Sequence, residues 1–355
     1  MTEEERTTGD ITTPVEFMGV AGSPYTRKMR ALLRYRGIPY RMLGGGQAAA
    51  ANRPQPRVRL LPTFYLPDAD GNTVAVTDST PLIRRFEAEY VGRSVLPSDP
   101  VVRFLDYLLE DYGDEWLTKC MFHFRWAHRA DIDKAGSILP FYTRVDVTDG
   151  QVAPLSKQIA DLQVGRLYVV GSNEKTGPII EASYHRFLEC FDAHLQSMPF
   201  AMGKRPGASD FGLYGQLTQL ALFDPTTMAI TVAEAPRVYG WTENTEDLSG
   251  LDASEEDWMT RDAVPDTLRA LLAEVGRVYV PFLLGNAAAI ASGAEQVDCM
   301  IDGEKWIQPS FPYQAKCLRW IREECAALSV ADRADLDGLL SGTGCEALFT
   351  DAFPS

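Results

Sequence analysis

A hydroxyl at the mouth of a helix carries the clearest chemistry in this chain. Ser23 follows a mostly apolar run, Val15 to Val20, and the residues Ala21-Gly22, and Pro24 stands directly after it. Tyr25, Met29, Leu32 and Leu33 then recur at i, i+4, i+7 and i+8, one face of a helix. Arg27, Lys28, Arg30 and Arg34 fall on the other side. Pro24 suits the first helical position, where its missing N–H is not needed. Ser23 therefore reads as an N-cap worth about 1 kcal/mol. The sharper alternative is a group that, with the free amides of the first turn, faces an anion; a thiolate held there would be stabilised and its pKa lowered. Both readings stand on these residues.

The elements that must position this hydroxyl follow in order. Gly37 ends the helix as a left-handed residue past its C-terminus, and Pro39 keeps it from resuming. Tyr40–Leu43 reads as a second strand, so the stretch is a right-handed βαβ unit. The triplet Gly44-Gly45-Gly46 lacks the GxxxxGK[ST] pattern of a phosphate loop and is a connection into a weakly helical segment. Thr63–Leu66 is a strand headed by Pro62, Asp68–Asn72 a hairpin turn and Thr73–Thr77 the return. Asp78-Ser79-Thr80-Pro81 opens a helix through Leu82, Ile83 and Phe86 to about Tyr90, with Ser79 as a cap. Residues 14–91 thus read β-α-β-α-β-β-α, and 91–100, with two prolines, as a linker.

Residues 101–350 change to helical character. Helical periods run through Val101–Arg125, Gln151–Leu167 and Pro178–Gln196, while 131–150 lack a clean period. Asp210–Leu222 is apolar enough for a buried central helix, and another helix starts at Pro236–Trp241. Thr242–Val264 holds eight acidic residues and reads as an exposed loop. Three more helices are expected over 265–291, 313–328 and 330–340, with a short hairpin at Gln296–Ile307 around Asp302-Gly303.

Composition narrows the function classes. The 355 residues suffice for two domains. With 34 basic against 49 acidic residues, a net charge of −15, neither nucleic acid nor an anionic membrane is expected as partner. No apolar run of membrane-spanning length stands out, and the polar residues 1–13 read as a disordered tail and not a signal peptide; a cytoplasmic location is expected. Cys120, Cys190, Cys299, Cys317, Cys325 and Cys345 contain no CxxC pair, and His123, His128, His185 and His194 show no ligand spacing, so no metal is expected.

The motifs in this frame together resemble the glutathione S-transferase superfamily, in its serine-type, bacterial-like form. Ser23-Pro24-Tyr25-Thr26-Arg27-Lys28 resembles the S-P-[FY]-x-x-[KR] start of the first helix. Leu61-Pro62 resembles the [VL]-P pair, and Asp78-Ser79 the [ED]-[ST] pair. Farther on, Gly203–Phe211 resembles G-x-x-P-[ST]-x-A-D-[FIL], with Gly207 in place of the usual Ser or Thr cap, and Pro236–Trp241 resembles P-x-[LV]-x-x-W. The resemblance spans about residues 14–245. It implies a thioredoxin-like N-terminal domain over 14–91 and a larger all-α C-terminal domain over 101–350, with extra helices after about 265.

The same resemblance implies glutathione as co-substrate, without a metal. Ser23 becomes the catalytic hydroxyl beside the sulfur, Leu61 the backbone partner of the cysteinyl unit, Pro62 a cis proline, and Asp78 and Ser79 the holders of the γ-glutamyl end, with Ser79 facing outward. Serine forms no mixed disulfide, so disulfide exchange is disfavoured. A free thiol has a pKa near ~8.5; each unit of lowering needs ~1.4 kcal/mol, and about two units would make thiolate a major form. The thiolate would attack a small hydrophobic electrophile in a pocket walled by Tyr107 and Trp116, with Phe122 and Phe124 as further candidates. A homodimer is expected. The alternative is a non-catalytic glutathione- or protein-binding module on the same fold.

Overall fold

The computed structural model describes residues 14–350; the expected tail, residues 1–13, lies outside them. Four strands, β1 (Val15–Met18), β2 (Tyr40–Leu43), β3 (Thr63–Pro67) and β4 (Thr73–Val76), form one sheet in the order β2-β1-β3-β4. β1 runs parallel to β2 and antiparallel to β3, which pairs antiparallel with β4. The crossover helix α1 (Pro24–Arg36) joins β1 to β2, α2 (Gly45–Ala50) follows β2, and α3 (Ser79–Glu89) follows β4. This is the thioredoxin-like order that the sequence predicts. The sheet and α3 meet through aromatic rings: Phe17 stacks on Phe64 at 4.8 Å, and Phe64 meets Phe86 edge-on at 5.5 Å. α1 ends where Gly37, at φ 66°, donates its N–H to the Leu33 and Arg34 carbonyls.

After the linker, α4 (Pro100–Tyr112) starts on Asp99, whose carboxylate accepts the Val101 and Val102 N–H groups. It runs through a π turn over 113–117 into α5 (Thr118–Ala127). There follow α6 (Arg129–Ile138), α7 (Asp149–Val164), α8 (Gly177–Leu195), α9 (Ala208–Leu220), α10 (Pro225–Glu234) and α11 (Pro236–Thr245). α9 is buried on every side and packs on both α1 and α4. A Cβ at Gly215 would lie 2.8 Å from the Pro24 carbonyl, so only glycine lets α9 approach α1 this closely. Gly207 has a similar reason: a Cβ there would lie 2.2 Å from the Asp106 carboxylate. That carboxylate accepts the Ala208 and Ser209 N–H groups, doing from α4 what the missing Ser or Thr cap would do.

Beyond α11 the structure corrects one expectation and meets two. Thr242–Val264 is anchored and not a free loop: Glu246 accepts hydrogen bonds from Arg27, Arg30, Arg34 and Tyr214, and Trp258 and Met259 are buried. The expected hairpin is present within the otherwise helical C-terminal region: β5 (Gln296–Ile301) and β6 (Glu304–Pro309) are turned by Asp302 and Gly303, at φ 53° and 82°. Its Trp306 is fully buried, which is why the hairpin belongs to the core. The helix expected over 265–291 is also present, as α12 (Asp266–Glu274) continuing through a π turn into α13 (Val280–Ser292). Among the described residues this one helix is long and apolar enough to cross a membrane by length and composition. Here Leu268, Leu272, Val275, Tyr279 and Phe282 are buried against the rest of the fold.

α14 (Pro312–Ala326) and α15 (Val330–Leu340) close the chain over α4. One continuous buried cluster runs from Val15 and Phe17 in the sheet to Leu336, Leu340 and Leu348 near the end. The two expected domains therefore share a core.

Candidate functional site at the start of the first helix

Ser23 caps α1 in extended backbone, φ −96° and ψ 119°. Its Oγ accepts the Thr26 N–H at 3.2 Å and lies within donating distance, 3.3 Å, of the Leu61 carbonyl. The Leu61–Pro62 peptide is cis. Ser23 is half-buried, so its hydroxyl is reachable from one side. The loop before it is roofed from the helical region: a Cβ at Gly22 would lie 2.8 Å from Leu139 and 2.9 Å from Tyr142.

Asp78 and Ser79 stand at the start of α3, but Asp78 and not Ser79 is the N-cap residue, and both have partners the sequence does not suggest. Asp78 adopts a left-handed φ of 85°, rare for a non-glycine residue and costly unless its surroundings hold it there. Its carboxylate accepts the Tyr313 hydroxyl at 3.0 Å and lies 3.8 Å from the Lys316 ammonium, both on α14. Burial raises the Asp78 pKa above the ordinary carboxylate value, against the opposing pull of Tyr313 and Lys316. Ser79 does not face outward. It is buried, and its Oγ accepts from Lys28 Nζ at 3.2 Å. The reason is a buried charge centre beneath it.

Lys28, one of the cations opposite the apolar face of α1, is fully buried. Its ammonium meets Glu110 at 2.8 Å and Asp114 at 2.5 Å, and Arg84 meets Glu110 at 2.5 Å. Two cations thus face two carboxylates where α1, α3 and α4 converge. Burial works against the Glu110 anion, but Arg84 and Lys28 outweigh it and bring its pKa down to about 2. Burial dominates at Asp114 and raises its pKa to about 6 in spite of Lys28. For Lys28, burial lowers the pKa, and the two carboxylates more than reverse this.

The two expected wall residues do not line an opening. Trp116 is fully buried, donates its indole N–H to Ser183 Oγ at 2.8 Å and packs against Trp306 at 5.5 Å. The C-terminal hairpin covers it. Tyr107 is buried too, with the Arg84 guanidinium 4.8 Å over its ring. Phe124 is a core residue and Phe122 half-buried against Trp126. A surface cavity of about 470 Å³ lies elsewhere, on α8, among His185, Arg186 and Glu189. Sequence reasoning missed Tyr313, Lys316, Leu139 and Tyr142 around the site. No local signal points to them, since they arrive from more than a hundred residues downstream.

Comparison with known proteins bears on this geometry. Residues 17–94 match the family model of the glutathione S-transferase N-terminal domain. A Tau-class glutathione S-transferase from mango, Mangifera indica, aligns at 18% identity over 73% of this chain and 96% of its own, with a TM-score of 0.40. A glutathione S-transferase from Methylobacterium radiotolerans, solved with glutathione sulfonate, aligns at 16% identity over 66% of this chain and 91% of its own, with a TM-score of 0.37. A glutathione transferase from Pseudomonas putida, solved with glutathione disulfide, aligns at 12% identity over 66% of this chain and 91% of its own, also with a TM-score of 0.37. No curated protein matches the chain. The match covers the segment that holds Ser23, Leu61, Pro62, Asp78 and Ser79, which the structure places in the thioredoxin-like β-α-β-α-β-β-α frame.

Proposed function

We propose that this protein is a glutathione transferase-like enzyme in which Ser23 activates the glutathione thiol for attack on a small hydrophobic electrophile. The observation that carries the reading is the half-buried Ser23 hydroxyl at the N-terminus of α1, next to the carbonyl that precedes Pro62. An incoming cysteinyl backbone takes the Leu61 carbonyl, which frees the Ser23 hydroxyl to donate to the sulfur. The first-turn amides add the positive end of the helix, so the thiolate is favoured over the thiol. Asp78 receives the α-amino group at the γ-glutamyl end once Tyr313 and Lys316 yield it. The thiol proton passes to solvent water, and the thiolate then forms the new carbon–sulfur bond as the electrophile's leaving group departs with its bonding pair. A cytoplasmic homodimer is part of the same proposal.

A second reading has its own support. Ser23, Asp78 and Ser79 each hold a partner within the chain, and Leu139 and Tyr142 pack on Gly22. A site so satisfied suits a non-catalytic glutathione- or protein-binding module. Calorimetric titration with glutathione and an S-alkyl glutathione, alongside a thiol-conjugation assay with an aryl halide, separates the readings. Binding at micromolar to millimolar affinity with turnover supports the enzyme, and binding without turnover the module. Asp78→Asn, which tolerates the left-handed backbone, is expected to weaken glutathione by about 1–3 kcal/mol. If neither ligand binds, the glutathione reading is wrong.

A further inference from the structure

A second constellation lies away from Ser23, where α5 breaks into α6 and faces α8. His123 sits in the last turns of α5, and His128 occupies the break itself, in extended backbone at φ −105° and ψ 134°. Glu181 reaches them from the first turns of α8. Its Oε1 lies 3.1 Å from His123 Nε2 and 3.2 Å from His128 Nε2, and the three ligand atoms all lie within 4.8 Å of one another. In a tetrahedral zinc site with bonds of about 2.0–2.2 Å, neighbouring ligand atoms stand roughly 3.3–3.5 Å apart. The two nitrogen–oxygen separations are near that spacing.

Three further features aim these groups at a common point. His123 Nδ1 is 2.7 Å from the buried Ser172 hydroxyl, so its other nitrogen is left to face Glu181. This is how the outer partner of a metal-bound imidazole sets ring orientation and tautomer. The first turn of α8 presses on the same ring, since a Cβ at Gly177 would lie 3.0 Å from His123 Cε1. The His128 ring is held by stacking on Phe124, with centroids 5.4 Å apart. Its Nε2 is nonetheless a buried nitrogen that makes no hydrogen bond, although Glu181 is close. A buried polar atom without a partner calls for an explanation, and a cation between the three groups supplies one.

We propose that His123, His128 and Glu181 form a zinc site with three protein ligands and an open fourth position for water. Two neutral imidazoles and a carboxylate suit a borderline divalent ion better than calcium or magnesium, which prefer oxygen-only shells. The site ties α5, the α5–α6 break and α8 together. α6 leads directly into Leu139 and Tyr142, so the ion braces the segment that roofs Gly22. This revises the expectation of no metal: the histidines stand five positions apart, and their third partner comes from another helix.

The test is titration of the chelator-treated full-length protein with Zn²⁺ by calorimetry. One zinc per chain is expected. His128 and Glu181 are partly exposed, so His128→Ala and Glu181→Gln leave the core filled. Each is expected to weaken binding by at least about 100-fold, and Ser172→Ala by about 10- to 100-fold. His185→Ala, which alters a surface pair with Glu234, should leave the affinity unchanged. Co²⁺ in place of zinc should give the visible d–d absorption of four-coordinate geometry. The proposal is overturned if no stoichiometric zinc binds, if both ligand variants stay within about threefold of the parent, or if His185→Ala removes the binding. None of these outcomes depends on glutathione turnover.

Discussion

Ser23 makes two hydrogen bonds at once, and its removal reads out in two ways. As a cap it holds the Thr26 N–H, so Ser23→Ala is expected to cost about 1 kcal/mol of stability. As the donor to a bound sulfur, it is expected to slow conjugation on the order of 10- to 100-fold at neutral pH, the worth of one charge-assisted hydrogen bond. Raising the pH should recover much of the rate, because the lost help is in ionisation and not in positioning. Melting temperature and pH–rate curve on the one variant separate the roles. A lower melting temperature with an unshifted curve would leave Ser23 a cap and nothing more.

Where elements meet, the informative side chains are the buried charges. Lys28 on α1 neutralises Glu110 and Asp114 beneath α3, and Lys28→Met is expected to cost about 3–5 kcal/mol in urea unfolding, because two carboxylates lose their shared partner. A loss under about 1 kcal/mol would mean that water already screens the cluster. The start of α9 has a pH signature of its own. Burial raises Asp106 to about 7 and Asp210 to about 8, against the lowering effect of the amides they accept from. A carboxyl whose folded pKa is raised contributes stability that is fully present below its ordinary pKa near ~3.9 and is lost as pH rises through the folded value. Melting temperature is therefore expected to fall between about pH 4 and 8 and to level off above that. Asp210→Asn, which cannot ionise, should melt lower but with a flatter dependence across that range. An unchanged slope in the variant would refute this account of α9.

The whole molecule is organised around one core that the C-terminal elements complete. Trp306 of the hairpin packs on Trp116, α12 packs on α8, the π turn after it touches α4, and Leu336, Leu340 and Leu348 close the same cluster. Ending the chain at residue 264 uncovers Trp116 and Tyr112, whose partners Trp306, Phe282 and Tyr279 are lost. At about 1.5–3 kcal/mol per buried side chain this is comparable with the whole stability of an ordinary domain. Such a chain is expected to show no cooperative thermal transition by circular dichroism, whereas the full chain melts in one step. A truncated protein that unfolds cooperatively would show that residues 265–350 are an appended layer and not part of the core.

The residues by themselves determined what depends on near neighbours. The strand–helix–strand start, the Ser23 cap, the Gly37 stop, the Asp68–Asn72 and Asp302-Gly303 turns and the buried helix over 210–222 all follow from periodicity and capping within a few positions. Tertiary structure decided which charges are buried and which site residues are already occupied. Lys28 looks like any other cation on α1 until Glu110 and Asp114 arrive from about eighty residues away. Asp78 meets Tyr313 and Lys316 across more than two hundred residues, Glu246 gathers three arginines of α1, and Glu181 joins His123 and His128 from a separate helix. A helical pattern states which face is apolar; it does not state which polar groups another element will bring to that face. Desolvation and pairing depend on that distant partner, so the chemistry of the buried charges was settled only by the packing of the fold.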